Sequence, residues 1–349
     1  MSPEFPLINN HERSQVSVDE ERLKEVALTV LNAFQNHSDL FDPKIWGTEI
    51  TPPEGPFVRL VKEYGKEIGD DRYPLHAMFF LCMTMFADNS TSQLNRVAKV
   101  SSFRNHTWLF QPEEVVKRSQ EEVVATAKDY IKTSFNGEAL PEWRHNAQVI
   151  IDQYSGDLRN FFLTYGNNAP EILAALDDPK QKKDGLRRFG PKLGSLFLLW
   201  VDEYGLASLN NIDRIGIPVD FQVMRLAIQT GALKIPDTPI HKAYVTDQLI
   251  PSFSRLAIEI SQEKGIPPQT LSKALWFVGH HCCNKYEHEF CPLKEMCTKM
   301  ISRSPLDSDG LIDPKDVGRN ITRLDAAAKR KREKQIKAGQ LTFLGEGAG

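Results

Sequence analysis

Signals for β-strands are almost absent from this 349-residue chain: alternating, β-branched stretches are rare, which argues against a sheet-based fold. No apolar run approaches the length needed to cross a bilayer, so no membrane association is expected. The opening residues, MSPEFPLINNHERSQ, lack the basic start and apolar stretch of a signal peptide, and a cytoplasmic location follows as the expectation. An excess of positive charge is missing too. The formal net charge of −3 argues against a uniformly basic binder and confines any nucleic-acid surface to a local patch. Cysteine is scarce, with five residues. Cys82 stands alone in an apolar run, whereas Cys282, Cys283, Cys291 and Cys297 crowd into one short segment. Without a secretion signal, such clustering suggests metal binding more than disulfides. No repeat of fixed period is visible.

What is present reads as an all-α protein. The length allows two packed domains, and a hydrophobic fraction of 41% is ordinary for a globular core. Leu23, Val26, Ala27, Val30, Leu31 and Phe34 recur at helical spacing after Ser17, which with Glu20 forms a capping-box pair. A proline-rich connector from Pro43 to Pro56 precedes helical stretches at Val58 to Tyr64 and Leu75 to Phe86. The second, LHAMFFLCMTMF, is apolar all round, as expected of a helix buried in the core with Cys82 as packing. Further helical patterns run from Glu113 to Phe135, Glu142 to Tyr154 and Pro170 to Leu176. The expected organisation is a flexible N-terminal tail (1–17), an N-terminal helical region (18–95) and a helical domain (96–230). C-terminal helices with a cysteine-rich loop (231–300) and a flexible tail (301–349) follow, the tail basic through Lys329, Arg330, Lys331, Arg332, Lys334 and Lys337.

The most informative segment is LRRFGPKLGSLFLLW, residues 186–200, where a helix end meets a Gly-Pro turn and an apolar helix begins at once. This is the pattern of a helix-hairpin-helix. Gly190 permits a backbone conformation or close approach that a side chain would block, and Gly194 allows the new helix to pack tightly. The amides around Gly190, Leu193 and Gly194 would form an anion site suited to a DNA phosphate; the other reading is a helix–helix turn without a ligand. Downstream, IPVDFQVMRL places Asp220 at the start of another helix, where it would serve as an N-cap.

Together, FGPKLGSLFLLW and PVDFQVMRL resemble the helix-hairpin-helix and Gly/Pro-Asp signature of the endonuclease III-like superfamily of DNA glycosylases (HhH-GPD). The family's hairpin reads G-V-G-x-K and its acid lies in V-D-x-x-V-x-R. Lys192 falls on the lysine and Asp220 on the acid. Arg188 stands where the family has its first hairpin glycine, and the Lys192–Asp220 stretch is lengthened around Leu206 to Gly216. The resemblance implies two helical domains, double-stranded DNA as partner, base flipping and cleavage of an N-glycosidic bond. A carboxylate at Asp220 would stabilise positive charge on the sugar and activate the nucleophile. A neutral amine at Lys192 would attack the sugar carbon and form a Schiff base, giving lyase activity; otherwise Lys192 is a phosphate contact or a surface residue and Asp220 activates water. Arg225 would contact phosphate or hold Asp220. Trp108, Phe110, Trp143, Phe161, Phe162 and Tyr165 are candidates to stack an extruded base, against a core role for each.

LWFVGHHCCNKYEHEFCPLKEMC, from Leu275 to Cys297, resembles the same superfamily's iron-sulfur loop, C-x6-C-x2-C-x5-C. Cys291 and Cys297 keep the last spacing and His288 occupies the second position. Strict counting puts His281 at the first position, which Cys283, or Cys282 as the alternative, would fill with a shortened loop. The implied cofactor is a [4Fe-4S] cluster with a structural role, zinc being the alternative. Lys285 and Lys294 would then face phosphates. Gln340–Leu344, QLTFL, loosely resembles the peptides that dock on sliding clamps; the other reading is a frayed terminus. A monomer, associated with the nucleoid if bacterial, is expected. Two further readings stay open: an N-glycosidase for a nucleotide, nucleoside or RNA, and a non-catalytic DNA-binding protein.

Overall fold

The computed structural model describes residues 16–46, 54–84, 104, 106–128, 140–178, 185–235, 240–283, 288–297 and 311–312. It is predominantly helical. In chain order, the short strand β1 (Ser17–Val18) leads into α1 (Glu20–Gln35), α2 (Gly55–Ile68) and α3 (Tyr73–Cys82). Then come α4 (Pro112–Val116), α5 (Gln120–Lys128), α6 (Pro141–Tyr154), α7 (Leu158–Thr164), α8 (Ala169–Asp177), α9 (Pro191–Glu203) and α10 (Phe221–Gln229). After β2 (Leu233–Lys234) and β3 (Ile240–His241) come α11 (Lys242–Lys264), α12 (Pro268–Val278) and β4 (Leu311–Ile312). Among the described residues, no helix is long and apolar enough to cross a membrane.

The chain divides into two compact units, one formed by Met1–Ile50 with Val219–Gly349 and the other by Thr51–Pro218. These boundaries fall inside the 18–95 and 96–230 segments read from the sequence. The reason lies in α1, whose apolar stripe of Leu23, Val26, Ala27, Val30 and Leu31 is fully buried and packs on α12. Antiparallel pairing of Ser17 with Lys234 and Val18 with Leu233 holds its entry. Since Ser17 is spent in that ladder, the N-cap of α1 is Asp19, whose Oδ1 accepts the Arg22 amide at 3.1 Å. The expected Ser17–Glu20 capping box is therefore displaced by two residues. Glu20 and Glu21, in the first turn, complement the positive end of the helix.

In the Thr51–Pro218 unit, α3 is buried at every position from Tyr73 to Cys82, as its uniform apolarity requires. Phe80 stacks on Trp143 with centroids 5.2 Å apart, and Phe79 on Phe189 at 4.8 Å. The helix expected across Glu113 to Phe135 is interrupted: α4 ends at Val116, and Ser119 Oγ accepts the Glu122 amide to start α5. A device that periodicity does not reveal occurs twice. In Gly69-Asp70-Asp71-Arg72 and Gly156-Asp157-Leu158-Arg159, a left-handed glycine (φ 69° and 75°) follows a helix and the aspartate Oδ1 accepts the amide two residues on. Each arginine then folds back onto its own aspartate, at 2.9 Å in the first and 3.0 Å in the second. His76 joins the two turns: its buried Nε2 accepts the Leu158 amide at 3.2 Å. Burial, followed by the nearby Arg72 charge, pushes its pKa down to about 4.

Candidate functional site

Asn146 on α6 prepares the hairpin region. Fully buried, it accepts the Arg187 amide at 2.8 Å and donates to the Arg187 carbonyl at 3.1 Å. His145 Nε2 meets the Gly185 carbonyl at 3.0 Å, and Arg187 pairs with Glu142 at 3.0 Å. Residues 186–190 are irregular and not the end of a helix; the preceding described helix, α8, stops at Asp177. Arg188 takes φ 76°, in the region that favours glycine. Gly190 does not: its backbone is extended (φ −155°, ψ −173°), and a Cβ there would meet Asp177 Oδ1 at an ordinary 3.7 Å. The conformational demand expected at Gly190 thus falls on Arg188. Gly194 meets its expectation, because a Cβ there would come within 2.6 Å of Leu173 Cδ1 where α8 and α9 pack.

Gly190 precedes α9, with Pro191 at the first position, Lys192 half-buried and Leu193 and Gly194 buried. Beneath this turn lies Cys82, fully buried, whose thiol donates to the Leu193 carbonyl at 3.6 Å. Burial pushes this thiol far above its usual range, the positive charge of Lys192 acting the other way. Cys82 is a packing residue.

Asp220, in the unit that contains the chain ends, is the N-cap of α10. Its Oδ1 accepts the Gln222 amide at 2.9 Å and the Val223 amide at 3.1 Å, so one oxygen of the half-buried carboxylate is fixed by the helix's first amides. One face of α10 lies along the cysteine segment, through residues spaced at three and four. Gln222 abuts Gly279, where a Cβ would be 2.5 Å from the Gln222 carbonyl oxygen. Arg225, only 6% exposed, donates to Gln222 Oε1 at 3.1 Å and acts electrostatically on the Cys283 thiol. Gln229 Oε1 lies 4.0 Å from Cys297 Sγ. Being only 6% exposed makes Arg225 a poor surface phosphate contact.

The cysteines converge from both sides of residues 284–287. A π-helical turn, Gly279–Cys283, follows α12 and buries Cys282 and Cys283. Cys291 is buried and Cys297 half-buried. A hydrogen bond from the Cys282 thiol lowers the pKa of Cys291, with burial opposing it. Burial raises that of Cys283, and neighbouring Cys291 and Cys297 add to the rise. These are soft donors close enough to act on one another, the donor chemistry that an iron-sulfur cluster or zinc takes. Among the described residues, no group of three or more His, Cys, Asp and Glu side chains is set as a metal-holding site. His288 begins the short helical turn His288–Phe290, but its side chain lies outside the described residues, as does Lys285. His281 is half-buried, its ring 6.1 Å from that of Phe277. Lys294 is exposed.

Of the aromatic candidates, Phe110, Trp143, Phe161 and Phe162 are at most 2% exposed and belong to the core, which corrects their candidacy as a base-stacking wall. Trp143 is fixed further by donating Nε1–H to the Leu109 carbonyl at 2.7 Å. Trp108 is half-buried under the Arg118 guanidinium, 4.1 Å from its ring centre, and Tyr165 is half-buried beside Phe161. The basic tail and the Gln340–Leu344 segment lie outside the described residues. Compared with models of known protein families and with curated proteins, the chain matches none.

Proposed function

We propose that the chain is a DNA N-glycosylase that extrudes a modified base from double-stranded DNA and cleaves its N-glycosidic bond. The observation that carries this reading is the placement of Asp220. One carboxylate oxygen is fixed at the head of α10, while the face of that helix is braced by a cluster of cysteines. The close α8–α9 packing at Gly194, directly after a strained Arg188, adds support, because it suits a hairpin that offers amides to a phosphate. Asp220 would stabilise positive charge on the sugar as the C–N bond breaks. In the water-using route it would also take a proton from the attacking water, whose oxygen forms the new bond to the sugar carbon. In the lyase route the Lys192 amine makes that bond, losing a proton, as the base departs; the sugar ring's C–O bond then opens to give the Schiff base, and elimination of the downstream phosphate cuts the strand. Cys283, or Cys282 in its place, would hold a [4Fe-4S] cluster or zinc together with His288, Cys291 and Cys297, and the group would brace the loop without taking part in bond cleavage.

The test is borohydride trapping of the chain on duplex DNA with one abasic site, run beside base-release assays on duplexes with oxidised, alkylated or mismatched bases. Covalent trapping that vanishes in Lys192→Gln assigns the lyase route. Base release without trapping assigns the water-using route through Asp220. Duplex binding with neither trapping nor release, and no change in Asp220→Asn, would leave a DNA-binding protein in which Asp220 serves only as a helix cap.

A further inference from the structure

Arg22, in the first turn of α1, uses three guanidinium nitrogens on three partners. Nε donates to the Thr230 carbonyl at 3.1 Å, Nη2 to the Met296 carbonyl at 2.9 Å, and Nη1 pairs with Glu25 at 2.7 Å. The two carbonyls lie 208 and 274 residues further along the chain. Thr230 closes α10, the helix that Asp220 opens, and Met296 immediately precedes Cys297. One planar fork therefore ties the N-terminal helix to the far end of the Asp220 helix and to the last cysteine's own peptide bond.

That peptide is held at both ends. Its carbonyl, from Met296, accepts from Arg22, and its N–H, from Cys297, donates to the Leu293 carbonyl at 2.8 Å. Leu293 is itself buried, and the loop is closed again where the Lys294 amide donates to the Cys291 carbonyl at 3.1 Å. Fixing the peptide plane narrows the directions in which the Cys297 side chain can leave the backbone, leaving one backbone rotation between the plane and its Cβ. The thiol lies beside Gln229 on α10, 4.0 Å from its Oε1, and is near enough to Cys283 to act on it electrostatically.

We propose that Arg22 is the positioning residue of Cys297, and that the N-terminal helix is thereby a working part of the cysteine cluster, not a separate region of the protein. The proposal rests on the reading of Cys283 or Cys282, His288, Cys291 and Cys297 as one ion-binding site. A lysine at position 22 could not serve equally, because a single ammonium cannot reproduce the two parallel donors that reach Thr230 and Met296.

The experiment uses the full chain in three variants: Arg22→Met, Arg22→Lys, and Arg255→Met. The last removes an exposed ion pair between Arg255 and Glu20 of the same helix without touching the cysteine loop. Maleimide labelling of the reduced, metal-free protein is followed cysteine by cysteine by peptide mapping. Iron and zinc content of the protein as purified and the rate of loss to EDTA are measured alongside, with helicity by circular dichroism. In Arg22→Met, Cys297 should label about 10-fold faster and the ion should leave faster by a similar factor, as when an outer-shell partner is lost. Cys82 labelling and helicity should hold. Arg22→Lys should fall between wild type and Arg22→Met, and it carries the test if Arg22→Met loses its helical signal. Arg255→Met should behave as wild type. Unchanged Cys297 labelling in both Arg22 variants, or equal acceleration in Arg255→Met, overturns the proposal. A wild-type chain that holds neither metal, yet whose Cys297 is released by Arg22→Met, would remove the ion-binding reading and leave the positioning role standing.

Discussion

Gly279 packs against the backbone of Gln222 so closely that a methyl group on it would lie 2.5 Å from the carbonyl oxygen and 2.7 Å from the carbonyl carbon. Backbone atoms cannot swing aside as a side chain's end can. Gly279→Ala should therefore push the first turn of α10 away from the cysteine segment at a cost of about 1–3 kcal/mol. Gln222 supplies an amide to Asp220, so under the proposed glycosylase function base release should fall more than stability alone explains. Urea unfolding beside single-turnover kinetics checks this; unchanged stability would mean that the contact is slack.

Two replacements of Asp220 separate its cap from its chemistry. Asparagine caps helices as well as aspartate does, so Asp220→Asn should alter stability by less than about 0.5 kcal/mol and, under the proposed function, abolish turnover. Asp220→Ala should lose the two amide partners and about 1 kcal/mol. A turnover-competent Asp220→Asn would confine Asp220 to the structural role.

Arg188 is held at φ 76° by neighbours that leave it little choice, since Asn146 grips the peptide groups on both sides of Arg187. A left-handed non-glycine residue costs about 1–2 kcal/mol, part of which a glycine returns through its looser unfolded chain. Arg188→Gly should raise stability by about 0.5–1 kcal/mol, and Arg188→Ala should leave it near wild type. Equal effects of the two would show that the side chain matters and the backbone angle does not. Weaker DNA binding by both would mark the guanidinium as a phosphate contact.

His76 predicts a pH window. Its folded pKa of about 4 lies below the ordinary 6.5, so the folded state favours the neutral ring. The associated stability is complete above about pH 6.5 and is lost as pH falls toward 4, by about 3 kcal/mol in total. Arg72 and Arg159 disfavour the charged ring, Asp70 and Asp157 favour it, and burial outweighs all four. The carboxyls of Asp70 and Asp157, held below their ordinary range by their arginines despite burial, lose their own contribution in a lower window. His76→Gln, which can still accept the Leu158 amide, should flatten the dependence between pH 6.5 and 4 and leave the more acidic loss intact.

The sequence made some of these features legible and hid others for physical reasons. α3 was readable because a helix apolar on every face has only one stable environment. Gly194 was readable because a glycine inside an apolar helix implies a close neighbour. The left-handed position is hidden because glycine is its usual marker and here arginine occupies it, held by Asn146 of α6. Asp19 is not legible as the cap because Ser17 lies at capping-box spacing and its commitment to a strand 217 residues away leaves no local trace. Arg22 belongs with it: one polar residue on an amphipathic helix looks like any other until its distant carbonyls are in place. Phe161 and Phe162 show the limit from the other side, since composition cannot tell a core ring from an exposed one.

The unit that contains Asp220 and the cysteines is assembled from both ends of the chain, whereas Thr51–Pro218 is one uninterrupted stretch. During translation, α1 emerges early with Leu23, Val26, Val30 and Leu31 bare, and the strand partner of Ser17 is made 217 residues later. At ordinary elongation speeds that interval is roughly 10–40 s, long enough for the continuous stretch to fold first. The amphipathic N-terminal helix must therefore be shielded while it waits, and variants that slow its capture should reveal themselves as lower yield in the cell before any change in the purified protein.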